Sequence, residues 1–431
     1  MSQSDSTIPQ TKLPEHGAKP PAAERLLALD AYRGFVMLAL ASGGLGIAAA
    51  AGNFPNSRFW QLLGFQFEHV EWVGCTFWDL IQPSFMFIVG VSMAFSYAAR
   101  AQRGQSYRGM LLQAVRRAVI LILLGIFLRS ANLDRTNWTF TDVVTQIGLG
   151  YVPLFLLWNR GARVQLAAAV AILAAYGLVF YAYPLPDRNY DTSQVGVPAD
   201  WPHNLSGNMA HWNKNTNAAA AFDRWFLNLF PHWEPRDKPP AGYVPASVRE
   251  DMRRVPFRFD GGGYATLNFI PALATMIFGL MAGELLRKPR PQGQTLLILL
   301  GSGLVLLAAG LALHAAGIVP IVKRIWTPSW ALFSTGCTLW MLAAFYGVVE
   351  VLNFRKWTYP LVVVGANSIL IYAMSHLSVS WIVRMLQIHL GRRGFELFGP
   401  GVEPLVRNLA VLLVMWLICW WLYRQRIFVR I

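Results

Sequence analysis

Long apolar runs separated by short polar connections dominate the chain. A helix needs about 20 apolar residues to cross a hydrocarbon core. On that template ten stretches qualify, near 27–51, 75–99, 109–129, 141–158, 164–183, 264–286, 294–317, 328–351, 358–385 and 404–423. The expected fold is an all-α integral membrane protein, a bundle of about ten transmembrane helices with one large outer loop. Four blocks follow along the chain. Residues 1–25 are polar and Pro-rich, lack the short apolar core of a cleavable signal, and read as a disordered cytoplasmic tail. Residues 26–183 form a first group of five spans, 184–263 the outer loop, and 264–431 a second group of five spans.

Composition agrees with that pattern. Of 431 residues, 55% are hydrophobic and 14% charged, and the mean hydropathy is +0.39, values outside the usual range of water-soluble domains. A net charge of +15 raises the question of nucleic acid. The basic residues answer it, because they sit in short clusters between apolar runs and not along one polar face. They mark topology instead, since loops facing the cytoplasm carry the excess of Lys and Arg. Every second connection is basic: Arg100, Arg103 and Arg108; Arg160 and Arg163; Arg287, Lys288 and Arg290; Arg355 and Lys356; and finally Arg424, Arg426 and Arg430. Both termini then face the cytoplasm. Four basic residues fall on the wrong side of this scheme, Lys323, Arg324, Arg392 and Arg393. Cys75, Cys337 and Cys419 lie in or beside apolar runs with no pairable spacing, so neither a disulfide framework nor a thiolate metal site is expected.

Residues 184–263 carry Trp201, His203, His211, Trp212, His232 and Trp233 among Asn, Asp and Pro. Aromatic faces beside amides and carboxylates suit a pyranose, which offers an apolar face and a rim of hydroxyls. An amphipathic cap on the membrane surface accumulates the same residues.

Ionisable groups inside spanning helices cost about 2.5 to 3.5 kcal/mol each on insertion scales, so each needs a partner or a task. In LLALDAYRGF, Asp30 and Arg33 lie three apart on one helical face, placed for an internal salt bridge or for a phosphorylated ligand. In FEHVEWVGCTFWDLIQPSFMFIVG, His69 precedes the second span and Asp79 lies at its outer end, with Pro83 behind. A lone interfacial histidine is more often structural than catalytic, but Glu68, Glu71 and Asp79 can orient the ring in the tautomer that accepts a proton. Late in the chain, Asn367, Ser368, Tyr372 and His376 recur near helical spacing and give one helix a polar stripe. Such a stripe glues helices together or, if it lies opposite His69, lines a cavity.

The order and spacing of LDAYRG, H-V-E-W-x-G, D-L-I-x-P-x-F-x-F-I-x-G, TQIGLGY, GYATLNFIPALATMIFGLMAGELL, IWTPSW and GANSILIY resembles the heparan-alpha-glucosaminide N-acetyltransferase family, in its bacterial branch. The resemblance covers nearly the whole chain from Arg25 onward. It implies transfer of an acetyl group from cytosolic acetyl-CoA to a glucosamine amine across the membrane, with no metal, no nucleic acid, and a homodimer as the assembly among membrane lipids. The family's active-site histidine falls on His69, its aspartate on Asp79, and a family asparagine on Asn268. The basic candidates for the CoA phosphates are Arg33, Arg103, Arg108 and Arg117. Glu71, Trp72, Asp223, Arg224, Asn367 and His376 are the candidates for the carbohydrate acceptor, with loop anchoring the alternative for Asp223 and Arg224. Two departures from the family pattern stand out. Ser42-Gly43-Gly44 replaces an asparagine at the outer end of the first helix, and Gln146 lacks the arginine that often follows it. N- and O-acylation both stay open, as do His69 acting as general base and His69 taking the acyl group itself. A transporter for a small polar or sugar-like solute is the rival reading.

Overall fold

The computed structural model describes residues 26–235 and 252–429. The expected tail at 1–25 lies outside these residues, as does part of the outer segment. Fifteen α-helices are described: α1 (Leu27–Ala41), α2 (Ile47–Gly52), α3 (Arg58–Gln66), α4 (Ile81–Gln102), α5 (Tyr107–Ser130), α6 (Val143–Leu157), α7 (Ala162–Ala182), α8 (Ala218–Phe226), α9 (Phe269–Leu286), α10 (Gln292–Ala315), α11 (Pro328–Tyr346), α12 (Tyr359–Ala366), α13 (Ser368–Leu377), α14 (Val379–Leu390) and α15 (Glu403–Arg424). Two short strands, β1 (His232–Pro235) and β2 (Met252–Val255), pair antiparallel. Helix starts follow local chemistry. The side chains of Ser106, Asp142 and Thr327 accept the amides of Gly109, Val144 and Trp330, satisfying donors that a first turn leaves unpaired.

Among the described residues, seven helices are long and apolar enough to cross a membrane, or up to nine if each of two bent pairs counts as one span. This is a multi-pass membrane protein. The bends fall where the sequence reading drew continuous spans. Between α1 and α2 the chain turns by 54° through Gly43, Gly44, Leu45 and Gly46, all at positive φ, a region open to glycine but costly for a leucine. Between α12 and α13 it turns by 68° at Asn367, a buried residue whose amide donates to the Ile427 carbonyl and accepts the Val429 amide. Of the expected stripe, Ser368, Tyr372 and His376 follow four apart on α13, while Asn367 lies at the break before it. The helix breaks at its first member, and Asn367 is spent on the C-terminal segment instead of a ligand.

α4 and α9 form the centre, packed so closely that a Cβ on Gly90 would meet the Met276 carbonyl and one on Gly279 the Phe87 carbonyl. Small residues at such contacts let backbones approach where lipid supplies no hydrophobic drive between helices. Rows of exposed apolar side chains face outward, such as Leu112, Val119 and Phe127 on α5 and Leu409, Leu413 and Leu417 on α15.

At one end of α4 the loops converge. The described part of the outer segment packs there as a second core of Trp72, Tyr176, Phe180, Trp212, Val322 and Ile325. Phe180 and Trp212 stack at 4.4 Å between centroids, and the Trp72 indole donates to the Trp212 carbonyl. This segment is a seated cap.

Candidate active site

Residues between α3 and α4 wrap around one carboxylate. Asp79 is fully buried, and its Oδ2 accepts the backbone amides of Thr76 (3.1 Å) and Val70 (3.3 Å). The Thr76 hydroxyl lies between Oδ2 (3.0 Å) and the Glu68 carbonyl (2.6 Å). Oδ1 meets His69 Nδ1 at 2.7 Å and Lys323 Nζ at 3.2 Å. A carboxylate so thoroughly satisfied stays ionised and holds its partners in place.

Lys323 arrives from the α10–α11 connection. Val73 and Val322 form an antiparallel bridge, and the Gly74 amide donates to the Ile321 carbonyl. Thr327 fastens the loop by accepting the Val322 amide and donating to the Pro320 carbonyl. The ammonium is 4% exposed, and burial lowers its pKa to about 8, against the pull of Asp79. It lies 3.0 Å from His69 Nδ1 and 3.5 Å from Nε2. Nδ1 cannot both give its proton to Asp79 and accept one from Lys323, and the shorter contact to the carboxylate assigns the proton to Nδ1. Nε2 then carries a lone pair on a side chain that is 38% exposed. A reachable base is thus held by a group that solvent does not reach.

Arg324, next in sequence, donates to the carbonyls of Gly262 and Val70 and lies over the Tyr264 ring. Two of the four basic residues that violate the charge rule are therefore built into this site. That violation was the sequence signal that could have found Lys323.

The other candidates divide. Asn268 donates from Nδ2 to the Arg324 carbonyl at 2.8 Å, so it braces the lysine loop and is not positioned as an oxyanion donor. Trp72 is fully buried in the cap core, which removes it from contact with an acceptor. Asp223 is buried and accepts the Thr266 amide, with burial raising its pKa to about 6. Arg224 donates to the Asn215 carbonyl. Asp223 thereby ties the cap to the approach to α9, and Arg224 ties the cap to itself, which is the anchoring alternative. Glu71 is exposed at the surface, with the Trp201 indole at 3.1 Å and His203 at 3.7 Å. His376 lines a cavity of about 380 Å³ that has Arg129 and Tyr372 in its wall, and His69 is not among its lining residues.

At the far end of α4 a cleft of about 630 Å³ is lined by Gln102, Arg287, Gln292, Glu350 and Arg355 together with apolar residues. The expected phosphate ligands are elsewhere. Arg33 pairs with Asp30 and donates to Ser92, Arg103 donates to the Ala99 carbonyl, Arg108 is exposed, and Arg117 covers the Tyr151 ring. Each has a local task or none; the two cleft arginines come from connections the charge pattern had placed in the cytoplasm, and Arg355 is paired there with Glu350 at 3.2 Å. Among the described residues no group of three or more His, Cys, Asp or Glu could hold a metal ion.

No family model matches the chain. Two curated proteins are similar to it, both named heparan-alpha-glucosaminide N-acetyltransferase. The one from Homo sapiens is 24% identical across 94% of this chain and 60% of its own length. The one from Mus musculus is 23% identical across 95% of this chain and 61% of its own. The chain thus spans about three-fifths of the length of these curated relatives, and the similarity, running nearly end to end along it, places the two at the level of a family relationship.

Proposed function

We propose that this protein is a membrane-embedded acyltransferase that moves an acetyl group from a CoA thioester entering at the Arg287/Arg355 cleft to an amine or hydroxyl of a sugar at the His69 end. The observation that carries the reading is the half-exposed His69 ring, its Nδ1 locked by a buried carboxylate beside a buried ammonium. The site and the cleft lie at opposite ends of α4, whose 22 residues span about 33 Å at 1.5 Å per residue, near the thickness of a hydrocarbon core. A nucleotide too large and too charged to cross would stay at the basic end while its thin pantetheine arm reaches inward. By the charge rule the cleft faces the cytoplasm, together with both termini.

In this mechanism Nε2 of His69 takes the proton of the attacking amine or hydroxyl as its nitrogen or oxygen bonds to the thioester carbonyl carbon. Asp79 stabilises the imidazolium that forms. The ammonium of Lys323, 3.5 Å from Nε2, is a fixed positive charge beside the reacting base, and a fixed donor there lowers the barrier as negative charge grows on the carbonyl oxygen. Collapse breaks the carbon–sulfur bond, and the leaving thiolate takes the proton back from Nε2. The exposed Glu71, with Trp201 and His203 beside it, forms the rim against which an acceptor sugar would lie.

The test is transfer of radiolabelled acetyl from acetyl-CoA to a panel of free amino sugars and neutral sugars by the purified protein in detergent. Labelled sugar and free CoA in equal amounts are expected. Intact thioester after prolonged incubation, with solute uptake in proteoliposomes instead, would replace this reading with the transporter. A labelled histidine peptide in rapid-quench samples would convert His69 from base to acyl acceptor.

A further inference from the structure

The cavity lined by His376 belongs to none of the machinery above, and its wall has a distinct chemistry. It is enclosed by the end of α1 with the following turn (Leu40 to Gly43), the end of α5 (Arg129), the start of α6 (Val143), α13 (Tyr372, His376), the start of α14 (Val379) and α15 (Asn408). About 380 Å³ is within the roughly 300–1,000 Å³ that small-molecule sites occupy.

One charged side chain faces it. Arg129 Nε donates to Asp142 Oδ2 at 2.8 Å, and that carboxylate is fully buried while the arginine side chain is 48% exposed. Asp142 is also held by the Tyr372 hydroxyl and the Val144 amide. Its negative charge is thus divided among three donors behind the wall, and no carboxylate is among the residues that line the cavity. Neither terminal nitrogen of Arg129 is hydrogen-bonded to the described residues. A guanidinium fixed by one edge presents its remaining donors to whatever enters, the geometry that suits a phosphate or carboxylate. The other half of the wall is apolar, with Leu40, Val143, Val379 and Val411. Neighbours of the lining residues, Phe127, Leu377, Trp381 and Leu409, are exposed, which in a spanning bundle directs them at acyl chains.

We infer that this cavity binds an acidic lipid, its anionic headgroup on Arg129 and its chain along the apolar wall between α5, α14 and α15. The inference stands on this cavity alone and does not depend on the acyl-transfer reading.

Its test uses the full chain in a neutral detergent, melted against short-chain phosphatidylglycerol, short-chain phosphatidylcholine and inorganic phosphate. Phosphatidylglycerol is expected to raise the melting temperature by several degrees and to saturate, as a ligand of the folded state does, while the other two leave it in place. Arg129→Gln keeps the shape of the cavity, and Val379→Trp fills it without touching the ion pair. Each is expected to weaken the response at least tenfold in lipid concentration, provided it still melts cooperatively. A photoreactive phosphatidylglycerol on the wild-type protein supplies a reading independent of variants, with label expected on α13 to α15 and the α1 end. Equal shifts from the two lipids, or label confined to other segments, overturns the proposal. A full shift from phosphate alone assigns the cavity to a free anion and overturns the lipid.

Discussion

Asp79 and Asp142 are two buried carboxylates with similar surroundings and opposite prospects. Each sits just before or at the start of a helix, accepts at least one nearby backbone amide and pairs with one Lys or Arg. The partners set them apart. Asp142 holds a guanidinium, which does not lose its proton in a protein, and a tyrosine hydroxyl, so the cluster is a fixed clamp. Asp79 holds an imidazole with an accessible second nitrogen and a lysine whose pKa burial has brought down to about 8. The lysine can therefore give up its proton near the range in which proteins work, while the imidazole keeps one nitrogen on a side chain open to solvent. A buried carboxylate is therefore not by itself a sign of chemistry; what it holds, and whether that can change charge, decides.

The comparison can be broken at several points. His69→Ala removes the exposed imidazole held by Asp79 and should lower acetyl transfer roughly 10,000-fold with the melting profile kept; turnover near wild type would take the ring out of the reaction. Asp79→Asn should cost roughly 1,000-fold, because an amide can no longer fix the tautomer or balance the imidazolium.

Lys323→Met should cost roughly 100-fold, the scale of one lost transition-state donor, and should also remove an alkaline limb near pH 8 from the kcat/KM profile. The sign of the linked stability follows from the same shift. Between about pH 8 and 10.5 the unfolded chain still holds the lysine proton that the folded protein has released, so this residue's contribution to stability rises with pH across that window. A wild-type profile flat through pH 9 would mean that the charge on Lys323 plays no part.

Smallest is Asp142→Asn, whose cost should fall on stability, about 1–3 kcal/mol in denaturant titration. A loss of transfer as deep as that of Asp79→Asn would erase the distinction between clamp and relay.

Much of this was legible in the chain. Apolar runs located the helical segments, because the requirement to satisfy every backbone group in lipid leaves few alternatives to a helix. The pairing of His69 with Asp79 was readable because ten residues separate them. Lys323 was not, since it lies 254 positions from His69 and only the fold brings the two loops together. Its presence was nevertheless recorded as a basic residue on the side where the charge pattern allows none. Trp72 misled for a related reason. Adjacency to a catalytic candidate says nothing of direction, and this indole turns inward to Trp212. The breaks at Gly43–Gly46 and Asn367 were hidden because hydropathy averages over a window and does not register a turn within it. Arg33, Arg103, Arg108 and Arg117 do not line the cleft, because a positive charge near a helix end is common and sequence alone does not say which cavity wall it joins.

The clamp at Asn367 bears on how the protein is made. Its two backbone partners, at Ile427 and Val429, follow 60 and 62 residues later in the chain. During synthesis from the N-terminal side onward, the bend between α12 and α13 therefore waits for these partners until α15 has been threaded and the segment behind it has folded back. That late stitch is sewn by residues that line neither the Arg287/Arg355 cleft nor the His69 cluster.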